Sequence, residues 1–540
     1  MAANPATRRF DADLLWQKAQ GSLVGGQLQE ARQVLTAYKA LGRGDDVHAH
    51  LLAGQIALIE DRIRDGARNV LDAARLAPDD PHALAAVAGM LLQLGENVAA
   101  LECLDRPSLA GCEDPLLLMQ LAAHRRRLQQ HAEGLALLDK AQSLGCDDPA
   151  LRYMRGEALL HSGRLEEAEA ELASCLADAP ERGRVAVPLV GLRRQTPERN
   201  YLAALDAGTR MAPSGTSDQA AFEFARYKTL EDLGRNDEAW QALVHGNKLM
   251  HARLPERLRR PQPLSDRFLE AWPAASGDPA PAGESGPQPI FIIGMPRSGT
   301  TVLERMLGNH SEVTAAGELM DFALQMHWTA DTRNLAGDQF LSRLPGLDYG
   351  ELGRRYLAQT RWHGRGKAFF IDKQPPNWMW AAAIRHALPR APILNLVRDP
   401  MDVCFSHWRT YFGESCAYSH DFQTLAGVYR DYRRAMAHWH RIMPGAILDV
   451  PYEELVRDPD ATLRKVFDFC GLAWEPGCAD ITRNAAPSAT PSAAQVRSSL
   501  HTRGFGEWRR YESQLQSLAD AIAAGGEFGS GNEDRPASGS

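Results

Sequence analysis

The stretch Pro289-Ile-Phe-Ile-Ile-Gly-Met-Pro-Arg-Ser-Gly-Thr-Thr-Val-Leu-Glu304 decides the fold of the second half of this chain. Its apolar run from Ile290 to Ile293 predicts a buried parallel strand. Gly294 to Gly299 then turns the chain, and the residues from Thr300 onward have helical spacing. A strand, a glycine-containing loop and a helix form a phosphate cradle, because backbone N–H groups and the helix N-terminus converge on an anion.

This loop differs from the nucleotide-binding loop G-x-x-x-x-G-K-[ST] of P-loop NTPases. Gly299 is followed directly by Thr300, without a lysine, and the cation comes earlier, as Arg297. The loop therefore predicts phosphate binding by a different arrangement of residues.

A second turn of the same kind lies about a hundred residues further on. Ile393-Leu-Asn-Leu-Val-Arg398 is an apolar strand that ends in a charge, and the residues from Asp399 to Ser406 lead into a helix. Arginine suits phosphate because its planar fork bonds two oxygens and stays charged. The alternative is a surface ion pair between Arg398 and Asp399.

An internal period organises the first half of the chain. Four acidic steps are each separated by 34 residues: Asp45-Asp46-Val47, Asp79-Asp80-Pro81, Glu113-Asp114-Pro115 and Asp147-Asp148-Pro149. Aspartate caps a helix and proline is tolerated in its first turn, so each step predicts a helix start. Small residues on the same period, such as Gly54 and Gly156, predict close helix crossings. A 34-residue helix-turn-helix unit resembles the tetratricopeptide repeat.

A further unit is predicted from Asp218 to about Arg253, whereas residues 182–216 fit the period poorly and predict irregular helix. We expect a repeat domain over 1–260, a linker rich in Pro, Gly, Ala and Ser over 261–288, an α/β domain over 289–523 and a disordered tail over 524–540. The repeats either bind a protein partner in a concave groove or only support the second domain or pair two subunits as a homodimer.

Composition excludes several classes. The formal net charge of -8 over 540 residues argues against a general nucleic-acid binder. The eight cysteines form no C-x-x-C pair, and no His cluster has zinc spacing, so we expect reduced cysteines and no metal. The N-terminus lacks the apolar run of a secretory signal, and no segment is apolar enough to span a membrane, so we expect a cytoplasmic protein.

The sequence P-R-S-G-T-T from Pro296 to Thr301 resembles the donor loop P-[KR]-[ST]-G-T-T of sulfotransferases that use 3′-phosphoadenosine 5′-phosphosulfate (PAPS). In that family a strand ending in V-R-D-P, with a serine eight residues after the arginine, holds the 3′-phosphate of the donor. Those residues are here Arg398 and Ser406. The resemblance covers roughly residues 289–521 and is closest to tyrosylprotein sulfotransferases and to bacterial proteins that fuse tetratricopeptide repeats to such a domain. It implies a P-loop-like parallel-sheet α/β fold.

The resemblance also assigns the donor-binding residues. The 5′-phosphosulfate is held by Arg297, Ser298, Gly299, Thr300 and Thr301. Tyr452, which opens "YEEL", matches a tyrosine that contacts the nucleotide. Ser492 and Arg497 lie in a segment that closes over the donor and that ends near Trp508. Ser498 stands where tyrosylprotein sulfotransferases have a lysine, and Arg497 or Arg503 is the candidate substitute.

Sulfuryl transfer needs cations on the migrating group and a base on the acceptor, and side-chain cations can serve without a metal. By resemblance, Arg297 and Lys373, in "FIDKQPPN", supply the charge, and Glu318 is the base, seventeen residues beyond Thr301 in a G-E dipeptide. Glu318 could instead be the N-terminal charge of the helix that follows. His310 and His407 are rival bases.

The acceptor hydroxyl is left open: a protein tyrosine, a sugar or a small molecule. The sequence Leu319-Met-Asp-Phe322 lacks the basic residues with which tyrosylprotein sulfotransferases read acidic peptides. The residues from Trp378 to Trp380 either line an aromatic pocket or belong to the core. Two other functions stay open: a P-loop kinase or NTPase, which the missing G-K-[ST] argues against, and a repeat scaffold with an inactive nucleotide-binding domain.

Overall fold

The computed structural model describes residues 14–19, 21–23, 25–40, 46–76, 80–259, 264–274, 286–335, 337–484, 486–487, 489, 500 and 502–524. Residues 261–263 and 275–285 of the predicted linker, and the predicted tail from 525 onward, lie outside the described residues. The helices of the first half are α1 (Leu28–Tyr38), α2 (Val47–Ile59), α3 (Ile63–Arg75), α4 (Pro81–Leu94), α5 (Asn97–Leu104), α6 (Pro107–Ala110), α7 (Pro115–Arg127), α8 (His131–Ser143), α9 (Pro149–Ser162), α10 (Leu165–Asp178), α11 (Gly183–Gly191), α12 (Leu202–Met211), α13 (Ser217–Asp232), α14 (Asn236–Arg253), α15 (Glu256–Arg259) and α16 (Asp266–Glu270).

The acidic steps start helices, as predicted. The carboxylates of Asp46, Asp80, Asp114 and Asp148 each accept a backbone N–H in the first turn of the helix that follows. Proline occupies the first turn at three of these four starts. An aspartate that caps the start of a helix therefore recurs every 34 residues.

Small residues mark the helix crossings. A Cβ atom on Gly54 would lie 2.8 Å from Val70 Cγ2, and one on Gly156 would lie 2.7 Å from Leu172 Cδ2. Over α11 and α12 the array is irregular, because α11 contains Pro188 and no helix is assigned from Leu192 to Tyr201. The pair α13 and α14 then resumes the regular pattern, as expected for the unit predicted from Asp218.

The second half contains one parallel sheet of five strands. These are β1 (Gln288–Gly294), β2 (Val313–Ala315), β3 (Phe369–Asp372), β4 (Ile393–Val397) and β5 (Ile447–Pro451), in the order β2-β3-β1-β4-β5. Ile290 is paired with Ile371 of β3, and Ile292 is paired with Leu394 of β4. β1 lies in the middle of the sheet, with β3 and β2 on one side and β4 and β5 on the other. The crevice beyond the carboxyl ends of β1 and β4 is therefore the expected place for a ligand.

Helices cover both faces of the sheet: α17 (Thr300–Leu307), α18 (Asp321–Ala330), α19 (Asp338–Arg343), α20 (Tyr349–Thr360), α21 (Ala381–Ala387), α22 (Pro400–Trp408), α23 (Phe422–Ile442), α24 (Tyr452–Arg457), α25 (Pro459–Cys470) and α26 (Gln516–Ala523). Successive residues of β1 alternate between the two cores. Phe291 and Ile293 pack in one cluster with Trp439, whereas Ile290 and Ile292 pack in the other with Phe467. The central strand is thus buried on both sides, as its unbroken apolar run predicts.

The repeats dock on the second half through α18. The amide of Gln325 donates to the carbonyl of Gly95 at 2.8 Å, and the backbone N–H of Arg64 donates to Asp331 at 2.9 Å. The repeat array therefore supports the second half of the chain directly. Among the helices that the structure describes, none combines the length and the apolar character that crossing a bilayer requires.

Candidate functional site

The loop after β1 is shaped by residues with positive φ. Arg297 has φ 68° and Gly299 has φ 108°, and α17 begins at the next residue, Thr300. The first N–H groups of a helix have no partner within it, so those of α17 point out of its N-terminus. Ser298 is only 1% exposed, and its hydroxyl has no hydrogen-bond partner within the described part of the chain. These donors together suit an anion.

The two predicted turns meet at this loop. Nε of Arg297 lies 3.2 Å from Oγ of Ser406, to which it donates a hydrogen bond. Nη1 of Arg398 donates to the carbonyl of Arg297 at 3.3 Å, and Nη2 donates to the carbonyl of Gly504 at 2.6 Å. Arg398 also lies 3.7 Å from Asp402, so the alternative partner Asp399 is not the one that it contacts. Parallel β1 and β4 bring these residues together because both strands end at the same edge.

Tyr452 connects the two turns. The guanidinium carbon of Arg398 lies 4.7 Å from the centre of the Tyr452 ring. A Cβ atom on Gly299 would lie 2.3 Å from Cδ2 of the same ring, so the ring covers the loop where only glycine fits. The aromatic face of Tyr452 thus stabilises the arginine and closes one side of the cradle.

Positive charge is concentrated here. Burial lowers the pKa of Arg297 to about 10, and the neighbouring Arg409 and Arg398 contribute to the same shift. Arg409 is compensated by carboxylates, because it pairs with Glu507 and lies 3.8 Å from Glu231 of the repeat helix α13. An anion beside Arg297 would relieve the repulsion among these guanidinium groups.

Two residues that the sequence assigns to different ends of the donor lie side by side. The family resemblance assigns Arg297 to the 5′-phosphosulfate and Ser406 to the 3′-phosphate, which are at opposite ends of the donor. The two side chains contact each other directly in this structure. Ser298, Thr300 and Thr301, which are all buried, remain on the loop side of the site.

A second cluster surrounds Lys373, directly after β3. Its ammonium nitrogen lies 2.5 Å from Oε1 of Glu318 and 3.8 Å from Oε2 of Glu304, and its side chain has no exposed surface. Burial raises the pKa of Glu304, and the charge of Lys373 opposes that shift. The side chain of Glu318, by contrast, is 40% exposed to solvent.

The G-E dipeptide at 317–318 has a physical explanation. Gly317 has φ 77°, a conformation that favours glycine. Its carbonyl accepts the N–H of Lys373 at 2.9 Å, and its own N–H donates to Glu304 at 3.1 Å. Sequence reasoning missed Glu304. The sequence feature that could have indicated it is its position, one turn after the start of the helix that follows the phosphate loop.

The rival histidines are held in structural roles. His310 is 3% exposed, contacts the carbonyl of Ala473 at 2.9 Å and packs against Phe467. His407 has no exposed surface, and burial together with the charge of Arg297 lowers its pKa to about 3. Neither histidine offers an accessible nitrogen of the kind that a base requires.

The tryptophans after β3 belong to the core. Trp378 and Trp380 are buried in the main core, and the carbonyl of Trp378 accepts the indole N–H of Trp439, so they do not line an open pocket.

Ser492, Arg497 and Ser498 lie outside the described residues. The segment that follows returns to the site, where the N–H of Gly506 donates to Asp402 at 3.0 Å. Within the described ranges, no group of three or more His, Cys, Asp or Glu side chains is arranged to hold a metal ion.

Comparison with known proteins shows what this part of the chain is similar to. Residues 289–476 match the model of the Sulfotransferase family. An uncharacterized protein of Aquifex aeolicus is 28% identical over 333 residues, which cover 57% of this chain and 42% of that protein. A putative protein-tyrosine sulfotransferase of Caenorhabditis briggsae is 23% identical over 234 residues, which cover 41% of this chain and 80% of that protein.

Among solved structures, the sulfotransferase domain of the olefin synthase of Synechococcus PCC 7002 is 20% identical, with a TM-score of 0.31, and the match covers 45% of this chain and 97% of that one. This chain spans less than half the length of the Aquifex protein. The part of the chain from 289 to 476, which contains the two arginine turns and the Glu318–Lys373 pair, is thus similar to the Sulfotransferase family.

Proposed function

We propose that this chain transfers a sulfuryl group from PAPS to an acceptor hydroxyl. The contact between Arg297 and Ser406 carries the proposal, because it joins two anion-binding turns that are 109 residues apart in sequence. A donor with phosphate at both ends needs cations from both turns. The Glu318–Lys373 pair lies at the same edge of the sheet and offers a base beside a cation.

The residues of the loop suit the phosphosulfate end of the donor. The N–H groups at the start of α17 and the buried hydroxyl of Ser298 are neighbouring donors in this loop. Arg398, fixed over the Tyr452 ring, is the cation for the 3′-phosphate. Arg297 reaches towards Ser406 and serves as the cation between the two ends.

The transfer is an in-line displacement at sulfur. The acceptor oxygen forms a bond to sulfur as the bond from sulfur to the bridging phosphate oxygen breaks. The acceptor proton passes to the carboxylate of Glu318, and the products are a sulfate ester and 3′-phosphoadenosine 5′-phosphate. Lys373 stabilises the charge that grows on the bridging oxygen. No metal takes part in this scheme.

Exposure favours Glu318 as the base. Its carboxylate is within reach of an acceptor, whereas His310 and His407 are enclosed. The acceptor is a hydroxyl of a protein tyrosine, a sugar or a small molecule. Relatives are described as protein-tyrosine sulfotransferases, which makes a tyrosine hydroxyl the first acceptor to examine.

The first experiment measures donor choice. The purified chain is incubated with radiolabelled PAPS and a cell extract, and label is followed into protein, sugar and small molecules. Calorimetry with 3′-phosphoadenosine 5′-phosphate and with ATP is run in parallel. We expect binding of the former and label in one class of acceptor. Binding of ATP alone, with hydrolysis, would identify an NTPase and overturn the proposal.

Variants of the arginines sharpen this experiment. Arg297→Ala should abolish turnover of the donor. Arg398→Ala should weaken binding of 3′-phosphoadenosine 5′-phosphate by about 10- to 150-fold, since a charged hydrogen bond is worth roughly 1.5–3 kcal/mol. Arg390→Ala, at an exposed arginine before β4, is the matched control. Equal binding by Arg398→Ala and Arg390→Ala would contradict the assignment of the second turn.

A further inference from the structure

Three successive turns of the repeats, at residues 61, 95 and 129, contact one continuous segment of the second half. Residues 61, 95, 129 and 163 are spaced by 34 and have φ 59°, 75°, 59° and 81°. Asp61 accepts hydrogen bonds from the hydroxyl of Thr332 and the N–H of Arg333, at 2.6 and 2.5 Å. The carbonyl of Gly95 accepts from Gln325 at 2.8 Å. Nε2 of Gln129 donates to the carbonyl of Glu318 at 3.4 Å.

The segment thus runs antiparallel to the repeats, from Arg333 back to Glu318. Each step of one repeat corresponds to seven or eight residues of this segment, whose central residues 321–330 form α18. Successive repeat turns therefore contact α18 and its flanking residues at regular intervals. That spacing places the third turn, at Gln129, on the predicted base.

Gln129 is an unusual residue for its position. Gly95 and Gly163 occupy the same place in their repeats, where positive φ favours glycine. A side chain in that conformation costs about 1 kcal/mol. Of these four positions, two are occupied by a residue other than glycine, Asp61 and Gln129. The side chain of each contacts the segment 317–333. Their side chains thus supply contacts that glycine could not make.

The amide of Gln129 is held in one orientation. Its Oε1 atom lies 3.1 Å from Nε2 of His131. Burial, together with Arg126, lowers the pKa of His131 to about 4, so the ring is neutral at neutral pH. A neutral ring that donates to Oε1 leaves Nε2 of Gln129 facing the carbonyl of Glu318. On the other side, a Cβ atom on Gly317 would lie 2.9 Å from Oε1 of Gln129, so the close approach depends on Gly317.

We propose that Gln129 is a positioning residue for Glu318, through which the repeat array forms part of the catalytic machinery. This proposal rests on the proposed role of Glu318 as the base. Lys373 and Glu304 hold the Gly317 peptide from the side of the sheet, and Gln129 holds the next carbonyl from the side of the repeats. Loss of the Gln129 amide lets the flexible glycine pivot, and the carboxylate of Glu318 then occupies the productive orientation less often.

The test compares Gln129→Gly with Asp61→Gly. Both substitutions suit positive φ, and both remove one set of hydrogen bonds between the repeats and the segment. Hydrogen–deuterium exchange is measured by mass spectrometry on fragments covering residues 316–320 and 329–335. We expect Gln129→Gly to speed exchange in 316–320 by about three- to tenfold, the equivalent of one hydrogen bond. Asp61→Gly should speed exchange only in 329–335. Unchanged exchange in 316–320 for Gln129→Gly would overturn the proposal.

Kinetic measurements distinguish a role of Gln129 in positioning Glu318 from a role in holding the repeats against the second half of the chain. With PAPS as donor and 4-methylphenol as a simple acceptor, kcat of Gln129→Gly should fall by about three- to tenfold while the KM for PAPS is unchanged. Asp61→Gly should match the wild type within about twofold. An equal fall in both variants would overturn the positioning role. If the wild type neither binds 3′-phosphoadenosine 5′-phosphate nor turns over PAPS, the proposed function fails, and exchange alone decides whether Gln129 fixes the peptide.

Discussion

The ammonium group of Lys373 is shared between two carboxylates, at 2.5 Å from Glu318 and 3.8 Å from Glu304. Lys373 and Glu304 are buried, whereas Glu318 is partly exposed. The cluster therefore has one carboxylate that compensates the buried charge and one that is accessible to solvent. This division of roles makes separate predictions for each member.

Glu318→Gln should lower the rate of sulfuryl transfer by about 10²- to 10⁴-fold, the usual contribution of a general base. Glutamine keeps the shape of the side chain and still accepts a hydrogen bond from Lys373, so the affinity for 3′-phosphoadenosine 5′-phosphate should stay within about twofold of the wild type. Steady-state rates and calorimetry measure the two quantities. Glu312→Gln, at an exposed glutamate before β2, is the control. A normal rate in Glu318→Gln would remove the base assignment.

Lys373→Met should destabilise the fold as well as abolish transfer. The substitution leaves Glu304 buried without its cation, and breaking a buried ion pair from one side costs about 3–5 kcal/mol. The double variant Lys373→Met/Glu304→Gln should regain much of the free energy of unfolding but none of the activity. Urea unfolding and transfer rates measure both.

The exposed pair of Lys465 and Glu454, 3.6 Å apart, provides the control for that experiment. Lys465→Met should leave the urea midpoint nearly unchanged, because exposed ion pairs contribute little. If Lys373→Met is as stable as Lys465→Met, the ammonium group does not compensate Glu304 in solution.

The fold could be predicted because its signals are local. The apolar run from Ile290 to Ile293 is long enough to identify a strand buried on both faces, and the loop after it has a distinctive order of residues. The aspartate and proline steps mark helix starts by capping, which depends only on neighbouring residues. The parallel sheet then follows, since strands that alternate with helices pair in parallel.

The parts that could not be predicted depend on contacts between distant residues. Glu304 looks like any acid on a helix until Lys373, 69 residues later, is placed beside it. Gln129 looks like a turn residue until the repeats dock on Glu318. The contact of Arg297 with Ser406 depends on a side-chain orientation that no spacing encodes. Each of these requires the register of the repeats or of the strands, which the sequence pattern leaves undetermined.

Gly299→Ala should impair donor binding. The backbone there has φ 108°, and the added Cβ would lie 2.3 Å from the Tyr452 ring, so the ring must move away from the loop and from Arg398. We expect the affinity for 3′-phosphoadenosine 5′-phosphate to fall by about tenfold or more, since displacing the ring also loosens a cation–π contact. Calorimetry measures the affinity.

Gly413→Ala separates backbone strain from the steric clash. Gly413 has φ 58°, and a Cβ atom there would meet no neighbour within 4 Å. This control should lower the stability by about 1 kcal/mol and leave nucleotide affinity unchanged. Equal affinities for the two alanine variants would show that the Tyr452 ring is not held over the loop.

The stability of the fold should depend on the protonation of Asp321, where α18 meets the repeats. Burial raises the pKa of this carboxyl from 3.8 to about 7, and Asn97 donates a hydrogen bond to it at 2.5 Å. Between those two pH values the folded chain binds a proton that the unfolded chain has lost. The free energy of unfolding contributed by Asp321 therefore falls as the pH rises from about 4 to about 7, with a limiting slope of about 1.4 kcal/mol per pH unit.

Asp321→Asn should remove this dependence, because an amide does not titrate and its oxygen can still accept from Asn97. The difference in urea midpoint between Asp321→Asn and the wild type should shift in favour of the variant as the pH is raised from 5 to 7. Asp468→Asn, at an exposed aspartate of α25, should follow the wild type at every pH. If Asp321→Asn also runs parallel to the wild type, Asp321 is ionised throughout this range, and the interface between α18 and the repeats tolerates a buried charge.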